Sequence, residues 1–350
     1  MGRIMYRLPA EWEPQEAMVI TWPHENTDWT PILDSITSVY LEMAREIAKR
    51  QRLVVVCGGD VGKLRVMLAD SLPVDILANI EIVSCPTNDT WTRDHGFISL
   101  LSGSGRQLLD FRFNGWGEKF AAEKDNAINS YLAGTIAGEY VDRLDFVLEG
   151  GSIESDGEGT LLTTSQCLLA PNRNYMQRED IERRLKEWLA VDRVLWLDYG
   201  NLIGDDTDGH IDTIARFAPN HTILYIGTDN KEDAQYEDLK QMECQLQELS
   251  QDYGYRLLRL PTPDPIVVDG ERLPATYANF VILNGAVLMP LYMQPEKDSE
   301  AIGIISTAFP DREIVGIDSR AVIHQHGSLH CCTMQIPAVS SPLQQIVEHT

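Results

Sequence analysis

Apolar, β-branched runs recur along this chain at a long and nearly regular interval, and several end in a bend that carries an ionisable side chain. The instances are residues 17–23 (AMVITWP), 80–94 (IEIVSCPTNDTWTRD), 143–152 (RLDFVLEGGS), 193–200 (RVLWLDYG) leading to 208–217 (DGHIDTIARF), 277–292 (YANFVILNGAVLMPLY) and 313–332 (EIVGIDSRAVIHQHGSLHCC). With Asp94, Glu149, His210, Asn279 and Cys331 as markers, the intervals are 55, 61, 69 and 52 residues, each the size of one supersecondary unit. Five similar units follow. Helical patterns lie between the runs: residues 30–50 put Ile32, Ile36, Val39, Tyr40, Met43 and Ile47 on one face, and 178–189, 231–250 and 296–307 read similarly. No Ser/Gly linker or low-complexity tract interrupts the alternation, so residues 1–350 read as one α/β domain.

The charge narrows the partners. Against 29 Lys and Arg stand 53 Asp and Glu, a formal net charge of −24. Such a field repels phosphates and concentrates cations, which disfavours nucleic acid. No run approaches the roughly 20 apolar residues that span a bilayer, and the N-terminus shows no secretory pattern, so a cytoplasmic protein without membrane contact is expected. The six cysteines are scattered apart from the adjacent Cys331 and Cys332, a pattern of reduced thiols, and their spacing offers no zinc site.

The bends carry a thiol, an imidazole and three carboxylates. In 208-DGHID-212 a strand-like register projects His210 and Asp212 to one face, as a proton-transfer pair would need; the alternative is an Asx turn with a surface histidine. In 91-WTRD-94 the acid Asp94 follows Trp91, and Arg93 reads as the partner of Asp94 in a structural ion pair. Glu149 ends an apolar run, and Gly150 and Gly151 let the backbone pass close to a neighbour or ligand. Cys331 sits where an apolar run breaks at Gly327; in a strand register Cys332 faces the opposite way and packs.

These segments carry a resemblance. The ordered set WPHENTDW (22–29), NDTWTRDHG (88–96), FNGWG (113–117), LEGGSIESDGEGTLL (148–162), DGHID (208–212), YANF (277–280) and GSLHCCTMQIP (327–337) resembles the agmatine deiminase family, whose relatives include the Porphyromonas-type peptidylarginine deiminases. The resemblance implies the pentein fold, an α/β propeller of five pseudo-symmetric ββαβ units around a central site. It also implies hydrolysis of a guanidinium to a ureido group with loss of ammonia, which for agmatine gives N-carbamoylputrescine on a route to putrescine. By the same resemblance Cys331 is the nucleophile, His210 the proton donor and later the base, Asp94 and Asp212 the carboxylates gripping the guanidinium, and Glu149 the group orienting His210. Asp89, Trp91, Trp22, Trp116 and Asn279 are the further substrate-binding candidates. Neither metal nor organic cofactor is implied, the partner is a small cationic guanidino compound, and a homo-oligomer is suggested.

The pattern departs from the family in places. HQHGSLHC stands where agmatine deiminases read GGGNIHC and is closer to the GALHC of the peptidylarginine branch, whereas FNGWG follows the agmatine branch. Glu154 replaces a His often found after EGGSI. A peptidylarginine or arginine deiminase, an amidinotransferase of the same fold, and a non-enzymatic binding module are the competing readings.

Overall fold

The computed structural model describes residues 5–103 and 105–339. It is a mixed α/β fold in which one sheet pattern occurs five times: an antiparallel pair of strands, then a third strand parallel to the second. Ile98–Leu101, Arg106–Arg112 and Glu139–Val147 form one such sheet. Ile153–Ser155, Thr160–Thr164 and Arg193–Leu197 form the next. Ala215–Ala218 with Thr222–Gly227 and Arg256–Pro261, and Val281–Leu283 with Ala286–Leu291 and Glu313–Asp318, form two more. In the fifth sheet Thr333–Pro337 pairs antiparallel with Gln15–Trp22, which runs parallel to Arg52–Cys57, so the two ends of the described chain meet in one sheet. This sheet alone gains a fourth strand, Ile80–Ser84.

The helices carry the parallel connections and bury one stripe each. Leu33–Ala48 buries Ile36, Val39, Tyr40, Met43 and Ile47, the expected face; Ile32 falls in a preceding 3-10 turn and is only half-buried. Arg178–Leu189 buries Ile181, Leu185 and Leu189 at four-residue spacing and stops at Ala190, whose φ of +52° leaves the helix. The pattern expected over 231–250 forms Tyr236–Tyr253 instead, because a turn precedes it in which the Asp233 carboxylate accepts the Gln235 amide at 2.9 Å. The segment over 296–307 forms Pro295–Ala308. Among the described residues, no helix is long and apolar enough to cross a membrane.

The five sheets lead with turns, and those turns hold the marker residues. Thr92–His95 precedes Ile98–Leu101, Gly150–Ser152 precedes Ile153–Ser155, Ile211–Thr213 precedes Ala215–Ala218, and His330–Cys332 precedes Thr333–Pro337. Asn279 lies just before Val281–Leu283. The turn at Thr92–His95 packs against those at Gly150–Ser152 and His330–Cys332, and the turn at Gly150–Ser152 against Ile211–Thr213. Residues far apart in sequence thereby meet because each occupies the same place in its own sheet.

Candidate active site

Local geometry departs from the strand register expected at two of these turns. Asp208 and Gly209 have φ of +67° and +88°, which turns the chain, and Ile211–Thr213 is a 3-10 turn rather than a strand. His210 and Asp212 therefore do not share a strand face; both are fully buried and reach different neighbours. His330–Cys332 is likewise a 3-10 turn, in which adjacent side chains diverge by about 120°. Cys331 reaches a cavity, whereas Cys332 packs in the apolar core beside Tyr40. The divergence expected of the two thiols holds, on a different element. Trp91 and Asp94 also share a helical turn, and their three-residue spacing puts both on the cavity wall.

Gly151 marks where the side chains converge. A Cβ built on it would fall 2.6 Å from His210 Nδ1, 2.8 Å from Asp94 Oδ1 and 3.1 Å from Asp212 Oδ2, so only glycine lets the three approach. His210 Nδ1 lies 3.6 Å from Asp94 Oδ1, and the Gly151 amide donates to that same oxygen at 3.0 Å. Trp116 Nε1 donates to the other Asp94 oxygen at 2.9 Å. Cys331 Sγ lies 3.9 Å from Asp212 Oδ2 and 3.4 Å from Asn279 Oδ1. Asn279 Oδ1 also accepts the His330 amide at 2.9 Å, so this buried side chain holds the turn that carries Cys331; like His210, Asp212 and Glu149 it stands behind the residues that border the cavity.

The cavity measures about 450 Å³ and is bordered by Asp28, Asp89, Trp91, Asp94, Trp116, Asp125, Asp206 and Cys331 among others. Five aspartates line it, and no lysine or arginine does among the described residues. Trp22 is not brought here. It ends the strand Gln15–Trp22 with its ring edge-on to Tyr40 at 5.7 Å and borders a separate cleft.

Burial sets the electrostatics. It pushes the Asp94 carboxyl up to about 6, with Asp212 and Glu149 pushing further and His210 pulling back. Burial pushes Asp89, with Asp28 beside it, up to about 7. The Cys331 thiol is driven well above its usual value by burial and then by Asp212 and Asp94. Burial alone would lower His210, but Asp94, Cys167 and Glu149 reverse this and hold it well above the ordinary imidazole value. The acidic surround thus favours the protonated forms of Cys331 and His210 and favours a further cation beside Asp94 and Asp212.

Five neighbouring residues, His330, Glu11, Arg216, Arg93 and Glu154, were not read from the sequence as site residues. His330 Nδ1 donates to Asp212 Oδ2 at 2.7 Å. Its other face meets Glu11 at 2.9 Å and Arg216 at 3.0 Å. Arg93 pairs with Glu11 at 3.0 Å and not with Asp94, correcting the expected pair. Glu154 is paired with buried Arg216, which accounts for an acid at that position. Among the described residues, two groups could offer metal-ligand atoms within 4.8 Å of one another, Glu149 with Cys167 and His210, and Glu11 with Glu154 and His330. Arginine already bonds the carboxylates of both, Arg173 the first and Arg93 and Arg216 the second.

Over residues 7–337 the sequence matches the Porphyromonas-type peptidyl-arginine deiminase family. The chain belongs to that family. Among similar structures is the C. jejuni agmatine deiminase with substrate bound, 37% identical, covering 97% of this chain and 98% of that one at a TM-score of 0.88. A Porphyromonas gingivalis protein described provisionally as an arginine deiminase is 47% identical, covering 95% and 99%, at a TM-score of 0.89. A Legionella pneumophila relative named provisionally as an agmatine deiminase is 35% identical over 95% of each chain. The family's own name and its relatives' names thus divide between peptidyl-arginine, free arginine and agmatine, and the cavity has to choose.

Proposed function

We propose that this protein is a deiminase that hydrolyses the guanidinium of agmatine to N-carbamoylputrescine and ammonia through a covalent adduct on Cys331. The observation that carries this reading is a cavity lined by the Cys331 thiol and five aspartates, with no lysine or arginine among its described lining residues. A planar guanidinium with several N–H donors fits between Asp94 and Asp212, and its charge is the cation the acidic surround favours. Its arrival offsets the two carboxylates that hold the Cys331 proton in place, so binding favours the thiolate, with the proton released to solvent.

The chemistry then balances in two halves. The Cys331 thiolate forms a bond to the guanidinium carbon, giving a neutral tetrahedral adduct. The His210 imidazolium protonates one amino group, the C–N bond breaks and ammonia leaves a thiouronium. His210, now neutral, takes a proton from water as the water oxygen bonds the same carbon; the C–S bond breaks, the hydroxyl proton passes to the departing sulfur, and the ureido product leaves with Cys331 again a thiol. The five sheets, each led by a turn at the site, support a five-unit propeller arranged around it.

The cavity wall supports agmatine over arginine. Asp28, Asp89 and Asp125 suit a primary ammonium, whereas a free arginine carboxylate would find no lysine or arginine among the described lining residues. An unpaired, desolvated carboxylate costs at least a few kcal/mol, so kcat/KM for agmatine should exceed that for arginine by roughly a hundredfold or more. A peptide ending in arginine should also be a poor substrate. Ammonia release measured with the three side by side decides it, and comparable kcat/KM for arginine or the peptide would overturn the agmatine assignment while leaving deiminase chemistry standing.

The same electrostatics set an acid limit. Asp94 must be ionised to hold a guanidinium, and burial raises its carboxyl to about 6 in the free protein. Binding is therefore lost as pH falls through about 6, and kcat/KM, which reports the free enzyme, should decline there. A profile level through that region would contradict the assigned role of Asp94.

A further inference from the structure

Glu149 and the loop that carries His210 are held by one guanidinium. Arg173 lies in a turn between the short helix Ser165–Leu168 and the helix Arg178–Leu189, and its side chain is fully buried. Its Nε donates to Glu149 Oε1 at 2.6 Å. Its Nη2 donates to the Thr207 carbonyl at 2.9 Å, and its Nη1 to Asp208 Oδ2 at 2.9 Å and Asn172 Oδ1 at 3.0 Å. Thr207 and Asp208 lie directly before Gly209 and His210. The fork shape of arginine thus fixes a carboxylate and the approach to an imidazole at once, which a lysine could do only in part.

The other half of the site meets this arginine too. A Cβ on Gly117 would fall 2.0 Å from Asn172 Nδ2 and 2.6 Å from Arg173 Nη1, so the turn that aims Trp116 at Asp94 packs against Asn172 and the guanidinium bonded to it. Lys119, just beyond that turn, donates to Asp208 Oδ1 at 2.7 Å and the Asp206 carbonyl at 2.6 Å. Glu149 itself uses one oxygen on Arg173; its Oε2 is buried and has no hydrogen-bond partner among the described residues. His210 is in the same condition at both ring nitrogens, and one of them lies within 4.8 Å of a Glu149 oxygen without a direct bond.

We infer that Arg173 is a positioning residue for His210: it holds the Glu149 carboxylate and the Thr207–Asp208 approach in place, so that the carboxylate stands near the imidazole without bonding to it. Resting on the deiminase reading above, this names what holds His210 free to give and take protons. Without Arg173, the nearest cation to a buried carboxylate is His210 itself. The groups facing His210 are Asp94, Asp205, Asp212, Cys167 and Glu149, and Arg173 is the cation set against them on the Glu149 side. Removing that cation leaves His210 facing its acidic neighbours uncompensated, so the imidazolium gives up its proton at higher pH.

The test is Arg173→Met assayed with agmatine across pH. The expected result is a fall in kcat on the order of a hundredfold, KM little changed, and an alkaline limb of kcat/KM displaced to higher pH. Arg173→Lys should restore the limb and part of the rate. A loss with the limb unmoved would reduce Arg173 to packing and overturn the inference. Should Arg173→Met fail to fold, Arg173→Met with Glu149→Gln removes the buried charge along with its partner. A rate equal to that of Glu149→Gln alone supports action through Glu149, and a rate lower by about tenfold or more overturns it. If the unaltered protein released no ammonia from any guanidino substrate, the functional reading would fail. The His210 titration followed by NMR would still decide this inference, by moving up in Arg173→Met or staying in place.

Discussion

Cys331→Ser abolishes turnover and covalent labelling by a haloacetamidine, while Cys332→Ser keeps most of the activity: that is the largest contrast expected between neighbouring positions of this chain. A hydroxyl at 331 would sit at the same place in the cavity, but its pKa lies far above that of a thiol, and the acidic surround that already restrains the thiol would restrain it more. Cys332 has no path to the same carbon. It is fully buried in the core packed around Tyr40, and Ser there loses packing without touching the cavity. Labelling followed by peptide mass mapping checks both, and an active Cys331→Ser protein, or a label on Cys332, would reverse the assignment.

His210→Ala should be almost as damaging. The imidazole is asked to protonate the leaving nitrogen and then to deprotonate water, each worth roughly 10² to 10⁴ in rate. Neither nearby imidazole stands in reserve: His330 is committed to Asp212 on one side and to Glu11 and Arg216 on the other, and His326, on the cavity wall, is held to the Gly204 carbonyl at 2.8 Å. KM should move less than kcat, because the guanidinium is gripped by Asp94 and Asp212. Steady-state kinetics on the folded variant would show it, and a rate within tenfold of the unaltered protein would remove His210 from both steps.

Much of this arrangement was legible before any coordinates. The marker spacing held because each of Asp94, Glu149, His210, Asn279 and Cys331 lies in or beside the turn that leads one repeated sheet. Periodicity reports local backbone, and there it succeeded. It went wrong where a positive φ redirected the chain, as at Asp208 and Gly209, and where a single helical turn replaced a strand at His330–Cys332. Trp22 misled because membership of a converging segment does not set which way its last side chain points; packing on Tyr40 does. Glu11, Arg93, Arg173 and Arg216 were invisible as a set because their ion pairs join residues 24 to 205 positions apart. Those pairs compensate buried charge, and nothing in local composition announces which partner does so.

The central claim is that one guanidinium is hydrolysed by one thiol, and the most direct measurement counts products. The purified protein incubated with agmatine should release one ammonia for each N-carbamoylputrescine formed, quantified by mass spectrometry, and Cys331→Ser under the same conditions should release none. Ammonia without the carbamoyl product, or equal release by the unaltered protein and Cys331→Ser, would contradict the account.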